Sequence, residues 1–361
     1  MNQLTDTSPG GDLPFPPRKK PMNSSAYNNN QLDLFQTFLC NPNERERLSN
    51  TIDIWDSIPR YSISRQEQNK RRDANGGLPI LAIQFEYRGQ PYIAKIQPAR
   101  IEEPDGVTRD YYPSASEELV EDALRKIALR QNQGFFEKDK YRSGVAFSLY
   151  ELREELSARG HARSYQQIIQ SLTILQKSHI ELRVGEGRGE AFLAANYLPT
   201  LSAVSKKRLL EDPGARWIAQ FHPLVTQSID QVTYRQFNYE VMMSLPTQLA
   251  RWLHKQLSIK FTFAGLASKP FEMRYSTIKR DSNLLNRGRE VDNRRDVDEA
   301  FAELVKMKVL REIEKTSITQ GKGKVVEVVY QLFPSPEFVK EMKASNKRVL
   351  NSKPAATESL R

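Results

Sequence analysis

The sequence predicts an α+β fold, mostly α, made of two tandem winged-helix domains (helix-turn-helix plus β-wing) behind a disordered N-terminal leader. Three observations carry that reading. The order strand, helix, turn, helix and two-stranded hairpin starts near Val145 and starts again near Phe271. In register, Ser171-Leu172-Thr173-Ile174-Leu175 followed by Ile180 falls on Ala300-Phe301-Ala302-Glu303-Leu304 followed by Val309, the pattern of a duplicated unit. And 361 residues with a formal net charge of +10 give length for two compact domains plus tails, with enough positive charge to favour a polyanion, so nucleic acid is the leading partner class.

Taken in order, residues 1–30 are rich in Pro, Asn, Ser and Gly without apolar periodicity, and such a leader does not bury enough surface to fold alone. Gln31-Leu32-Asp33-Leu34-Phe35 then has the form of the short peptide by which bacterial proteins hold the replicative sliding clamp. Leu34 and Phe35 supply a compact apolar plug, and Gln31 an amide that sets register at the rim of a groove. Leu32, Leu34, Phe35, Phe38 and Leu39 also fit the apolar face of a short helix packed on the body, so both readings stand. The segment 31–64 ends in an apolar patch, Ile52, Ile54, Trp55 and Ile58, stopped by Pro59, and residues 65–77 read as a polar linker.

The first winged-helix domain is expected over 78–205. Apolar residues alternate from Ile80 to Ile96 around Arg88-Gly89-Gln90, a hairpin pattern, and 98–116 reads as a loop. Ser116 is placed to cap a helix from Glu117 to about Arg130, with Leu119, Ala123, Leu124, Ile127 and Ala128 as its buried stripe. A strand (Val145 to Phe147), a helix (Leu149 to Leu156), a turn at Gly160, a second helix (Ser164 to Lys177) and a wing around Gly185 to Gly189 complete it. The second domain, 215–335, has a preceding helix from Pro246 to Lys260, with Pro246 suited to its first turn. A strand (Phe271 to Arg274), a helix (Tyr275 to Asp281), a turn (Asn286 to Glu290), a long helix (Asp292 to Lys308) and a wing around Gln320 to Lys324 follow. The polar tail, 340–361, starts helical and then frays.

Helical wheels separate core from outer face. In the second copy Val297, Phe301, Leu304 and Lys308 share one side, while Asp292, Arg295, Asp296, Glu299 and Lys306 share the other, with Arg287, Arg289 and Arg294 on the approach. Arginine in a helix N-terminal turn matches a guanine edge, and Asp296 or Glu299 can accept from a cytosine amino group. Lys279, Arg280, Lys322 and Lys324 are suited to phosphates. In the first copy the outer side shows Gln166, Gln167, Gln170, Ile174 and Lys177. An exposed Ile174 among glutamines is a poor phosphate surface, so this copy is expected to serve dimerisation or weaker DNA contacts.

Catalysis has no support. Gly321-Lys322-Gly323-Lys324 lacks the spacing and the Ser or Thr of a phosphate-binding loop, and Gly185 to Gly189 lies between strands, where a dinucleotide loop does not form. His161, His179, His222 and His254 have no paired-ligand spacing, so no metal and no cofactor is expected, and the chain is read as a non-enzyme. Cys40, the single cysteine, forms no internal disulfide, and no apolar run approaches the ~20 residues that cross a bilayer, which points to a cytoplasmic protein without a membrane partner.

The Gln31–Phe35 peptide, the two winged helices, and the run from Phe221-His222-Pro223-Leu224-Val225 to Leu245-Pro246-Thr247-Gln248-Leu249-Ala250-Arg251-Trp252-Leu253 together resemble plasmid replication initiators of the TrfA type, the broad-host-range class of IncP plasmids. The resemblance covers about residues 31–335, and the chain departs from some members in its short leader. It implies binding to direct repeats (iterons) of double-stranded origin DNA, melting of an adjacent A+T-rich region, and recruitment of the host initiator, replicative helicase and sliding clamp. It also implies plasmid copy control through a monomer and homodimer. Gln31, Leu32, Leu34 and Phe35 would touch the clamp, and Arg287 to Arg295 with Glu299 would read the iteron. Two other classes fit parts of the sequence: a winged-helix transcriptional repressor, which has no use for a clamp peptide, and a clamp-tethered DNA enzyme, which would need the metal or nucleotide motifs that are missing.

Overall fold

A computed structural model of the chain describes residues 47–129, 133–137, 140–184, 191–205, 207–262, 269–321 and 323–352. The expected leader, the Gln31–Phe35 peptide, Gly185 to Gly189 and Lys322 lie outside the described residues.

The first unit opens with β1 (Leu48–Ile52), α1 (Asp53–Ser57) and α2 (Arg65–Arg71), then the hairpins β2 (Leu81–Tyr87) with β3 (Gln90–Gln97) and β4 (Ala99–Glu102) with β5 (Thr108–Tyr111). After α3 (Ala115–Ala128) come β6 (Gly134–Glu137), β7 (Arg142–Ser148), α4 (Leu149–Ala158), α5 (Tyr165–Lys177), β8 (His179–Val184) and β9 (Ala191–Asn196). Strands β10 (Leu201–Val204) and β11 (Arg216–Gln220), helix α6 (Pro223–Asp230), β12 (Tyr234–Asn238) and α7 (Tyr239–Ser244) lead into the second unit. That unit holds α8 (Gln248–Lys260), β13 (Phe271–Arg274), α9 (Tyr275–Ser282), α10 (Glu290–Lys306), the wing β14 (Leu310–Gln320) and β15 (Lys324–Pro334), and α11 (Pro336–Ser352). The fold is thus mixed α+β, with more sheet than the mostly helical expectation.

The second unit has the pairing of a winged helix: β13, β15 and β14 form one antiparallel sheet, with Met273 opposite Tyr330 and Lys315 opposite the same Tyr330. The first unit has the same element order but a different pairing. Its β7 joins β11 and β6, not the wing, and the wing strands β8 and β9 are completed by the upstream hairpin into the sheet β2-β3-β8-β9. The repeat therefore lies in the order of elements and not in the sheets.

Several expectations for the first unit change. Residues 48–64 do not form a separate segment: β1 pairs with β12, and Trp55 is buried, stacked on His222 at 4.2 Å. The polar stretch 65–77 contains α2, whose Gln68 is buried and reads the Tyr112 backbone in both directions, accepting from its N at 3.1 Å and donating to its O at 3.0 Å. Residues 98–116 hold the β4–β5 hairpin, because Ala99 and Ile101 alternate inward. The long helix is capped two residues earlier than expected, at Ser114 instead of Ser116, since Ser114 and Glu117 form the capping box.

Helix α3 also differs in kind. Every residue from Glu117 to Ala128 is buried, charged ones included. Burying unpaired charge is costly, so these side chains find partners in other elements. Arg125 bonds Asp56 (2.7 and 2.9 Å) and Asp122 (2.6 Å), Arg60 bonds Asp56 and Glu121 (3.1 Å each), and Trp55 Nε1 donates to Glu121 (2.5 Å). From the second unit Lys255 reaches Asp122 (2.6 Å) and Glu118 (3.3 Å), while Gln248 donates to Glu118 and to the Tyr61 carbonyl. Helix α8, buried from Leu249 to Ile259, thus packs its apolar residues into the second core and its polar side chains against the first unit. Burial opposes ionisation of Asp56, yet Arg125, Lys255 and Arg60 hold its carboxyl far below the usual carboxylate range.

Beyond the wing, α11 packs Phe338, Val339 and Met342 into the second core. What reads as a polar tail from residue 340 is the continuation of that docked helix, and Arg47 and Asn238 both bond Glu341 across to the first unit.

Candidate nucleic-acid interface

The turn between α9 and α10 is built before any charge is placed on it. Asn283 ends α9 in the left-handed region (φ 51°) and Leu285 plugs the core. Asn293, fully buried in α10, accepts from Arg287 N (2.8 Å) and donates to Arg287 O (3.2 Å). Those two bonds satisfy both backbone groups of Arg287 and fix where it leaves the turn. Helix α10 buries Asn293, Val297, Ala300, Phe301 and Leu304, a 3.6-residue stripe, and turns its opposite face to solvent. Lys308, expected on the buried side, is exposed with φ 55° just past the helix, because the chain reverses there into the wing.

On the outer face Arg287, Arg289 and Arg295 are 61%, 76% and 61% exposed, and each meets a carboxylate of the same helix. Arg287 pairs with Asp296 (2.8 Å), Arg289 with Asp292 (2.7 Å), and Arg295 lies 3.3 Å from Asp292 and 3.7 Å from Glu299. Arg289 holds the Asp292 carboxyl below the usual range, helped by the position of Asp292 in the first helical turn. Arg294 turns inward over the Tyr275 ring at 5.9 Å. Lys279 and Tyr275 both bond Glu290, lowering its carboxyl pKa, so this end of α9 is tied to the start of α10.

The expected phosphate cations differ in availability. Arg280 is spent on structure, since Nε and Nη2 hold Asp281 while Nη1 reaches Glu86 of β2 (2.6 Å). Lys306 pairs with Glu303 at the far end of α10, about 24 Å from its start at 1.5 Å per residue. Lys324 is exposed where β15 begins, beside Gly321 (φ 58°) and Gly323 (φ 82°), whose left-handed conformations close the wing tip. The wing strands are each 11 residues long, about 35 Å at 3.3 Å per residue, and β14 is exposed from Glu314 onward. Lys315 was not singled out in the sequence. It lies on the wing and bonds Asp298 of α10 (2.6 Å), which also accepts from Tyr330 OH (3.0 Å), and only the strand register brings these together.

Between this unit and the first runs an open cleft of about 940 Å³, with Gln84, Ile93 and Lys95 of the β2–β3 hairpin on one side and Tyr275, Lys279 and Asn286 on the other. Asn283 Nδ2 donates to Ser62 Oγ (2.8 Å) at its edge, so the first unit braces the turn that carries the arginines.

The surface expected on α5 is only partly formed. Gln166, Gln167 and Lys177 are exposed and Gln170 is half-buried, 3.5 Å from Glu103. Ile174 is fully buried with Ala99 and Ile101 and is no interaction residue: the β4–β5 hairpin lies over it. Among the described residues no group of His, Cys, Asp and Glu is placed to hold a metal, and no helix is long and apolar enough to cross a membrane.

Comparison with protein-family models found no match, and comparison with curated proteins found none. Among solved structures, the chain is similar to domains 2 and 3 of RctB in two crystal structures, each at 13% identity and TM-score 0.48, covering 78% and 81% of this chain and 96% and 99% of those chains. It is also similar to the Pi initiator protein in complex with iteron DNA, at 10% identity and TM-score 0.40, covering 67% of this chain and 98% of that one.

Proposed function

We propose that the protein is a plasmid replication initiator of the TrfA type, which binds iterons of double-stranded origin DNA through its second unit. One observation carries the DNA reading: three exposed arginines stand on a pinned turn and the first turns of a solvent-facing helix, beside a wing long enough to reach along a duplex. That pairing of a helix for the major groove with a strand ribbon for the backbone is how winged helices engage DNA. Lys324 supplies a phosphate contact, and the sequence offers Lys322 for another, so affinity falls steeply with salt.

In this reading the first unit makes weaker DNA contacts or pairs two copies through Gln166, Gln167, Gln170 and Lys177. Gln31-Leu32-Asp33-Leu34-Phe35 holds the sliding clamp, and the bound protein promotes melting of an A+T-rich region and brings the host initiator and helicase to the cytoplasmic origin. It acts by binding, with no catalytic step and no cofactor.

A footprint on the DNA flanking its own gene tests the proposal. Several protected segments at near two-turn spacing beside an A+T-rich stretch are expected; a lone protected palindrome over a promoter would make the protein a repressor. Replacing Leu34 and Phe35 by Ala should abolish clamp binding and leave iteron affinity intact, and loss of both together would place the peptide in the fold.

A further inference from the structure

We propose that Asp292 and Asp296 are positioning residues that aim Arg289 and Arg287 at guanine, so that the duplex selected by this interface carries a guanine opposite each of these two arginines. The inference rests on the DNA reading above and adds which bases the site takes.

A guanidinium has two hydrogen-bonding edges, one formed by Nε and Nη2, the other by Nη1 and Nη2. Arg287 gives its Nε and Nη2 to Asp296 Oδ2 and Oδ1, at 2.8 and 3.3 Å. Arg289 gives the same edge to Asp292 Oδ2 and Oδ1, at 2.7 and 3.1 Å. Both planes are therefore gripped side-on, and both leave the Nη1/Nη2 fork pointing away from the protein. That fork is the one that matches O6 and N7 of guanine in the major groove.

Other arginines show that this edge is not left free by default. Arg280 has Nη1 on Glu86 as well as its side edge on Asp281, and Arg109 spends its Nη1 and Nη2 on Asp105. The geometry also revises the roles expected of the acids. Both oxygens of Asp296 accept from Arg287, so its first role here is to orient a reader. Exposed pairs of this kind add little stability, but a side chain already held in its reading geometry loses less freedom on binding.

Selection from a random duplex library by the full chain, followed by affinity measurements at fixed salt, tests this. The parent chain should select a site with two guanines, and replacing either by adenine should weaken binding about 5- to 150-fold. Asp296→Asn should relax the preference at one guanine and Asp292→Asn at the other, while binding to mixed-sequence DNA holds or tightens because a negative charge has been removed. Arg287→Lys and Arg289→Lys keep the charge without the fork, and each should lose the same discrimination; circular dichroism melts of all four variants establish that they fold. A selected site without guanines at these positions, or a guanine preference unmoved within twofold by both Asp→Asn variants, overturns the inference and leaves DNA binding standing. No selection by the parent chain overturns both.

Discussion

Lys255→Met is the sharpest test of how the two units are held together. Lys255 comes from helix α8 of the second unit, its side chain is 3% exposed, and its Nζ sits 2.6 Å from Asp122 and 3.3 Å from Glu118 of the first. The described ion pairs around Lys255 join the carboxylates of Asp56, Glu118, Glu121 and Asp122 to Arg60, Arg125 and Lys255. Methionine fills the same space but removes the cation that Asp122 and Glu118 share. Breaking a buried pair by removing one partner costs about 3–5 kcal/mol, because the other charge stays buried without compensation. In a domain of this size that lowers the melting midpoint by on the order of 10 °C. Urea titration read by circular dichroism measures it, with Lys306→Met as control; its partner Glu303 shares an exposed pair, where a change of about 0–1 kcal/mol is expected. Burial already pushes the Asp122 carboxyl above the usual range. In the variant the folded state binds a proton there more tightly than the unfolded chain does, so the deficit should shrink as pH falls toward 5. A loss below about 1 kcal/mol, or one independent of pH, would refute the account of the cluster as the tie between the units.

Three further outcomes follow from the same packing. His222 and His254 are buried with their pKa pushed down to about 3 by desolvation, so between about 6.5 and 3 the unfolded chain binds protons that the folded chain refuses. Stability should therefore fall as pH drops through that window, by about 2 kcal/mol per histidine at pH 5, and His254→Leu should flatten the slope measured by urea titration. Ile174→Ala should cost about 2–4 kcal/mol, because Ile174 is enclosed by Ala99 and Ile101; an unchanged midpoint would return it to the surface. Lys324→Ala should weaken binding about equally on all duplexes and reduce the slope of log K against log salt by about 0.9, whereas a sequence-dependent loss would make Lys324 a base reader.

The second unit was the more legible in sequence. Phe271 to Arg274, the helix after it and the Val297, Phe301, Leu304 stripe are where periodicity put them, since a local period of 2 or 3.6 is enough to define an element and its buried face. The arginines of the turn were visible for the same reason. Their aspartate partners were visible as residues but not as partners, because which edge of a guanidinium is occupied depends on rotamers set by the fold.

The first unit resisted. The order of its helix-turn-helix and wing was readable, but β7 pairs with β11 rather than with its wing, and strand pairing is chosen between segments far apart in sequence. The charges of α3 fell outside the apolar stripe read from the sequence, and Ile174 looked exposed, because the helix wheel records only its own helix. The sequence by itself determined the order of the two helix-turn-helix and wing runs, the basic balance and the placement of Arg287, Arg289 and Arg295 at a helix start, all consequences of local spacing and composition. Only the tertiary structure decided the sheet partners, the burial of Glu121 and Arg125, and the cover over Ile174, since each needs a counter-charge or an apolar neighbour that the fold brings from scores of residues away; Lys255 meets Asp122 across 133 positions.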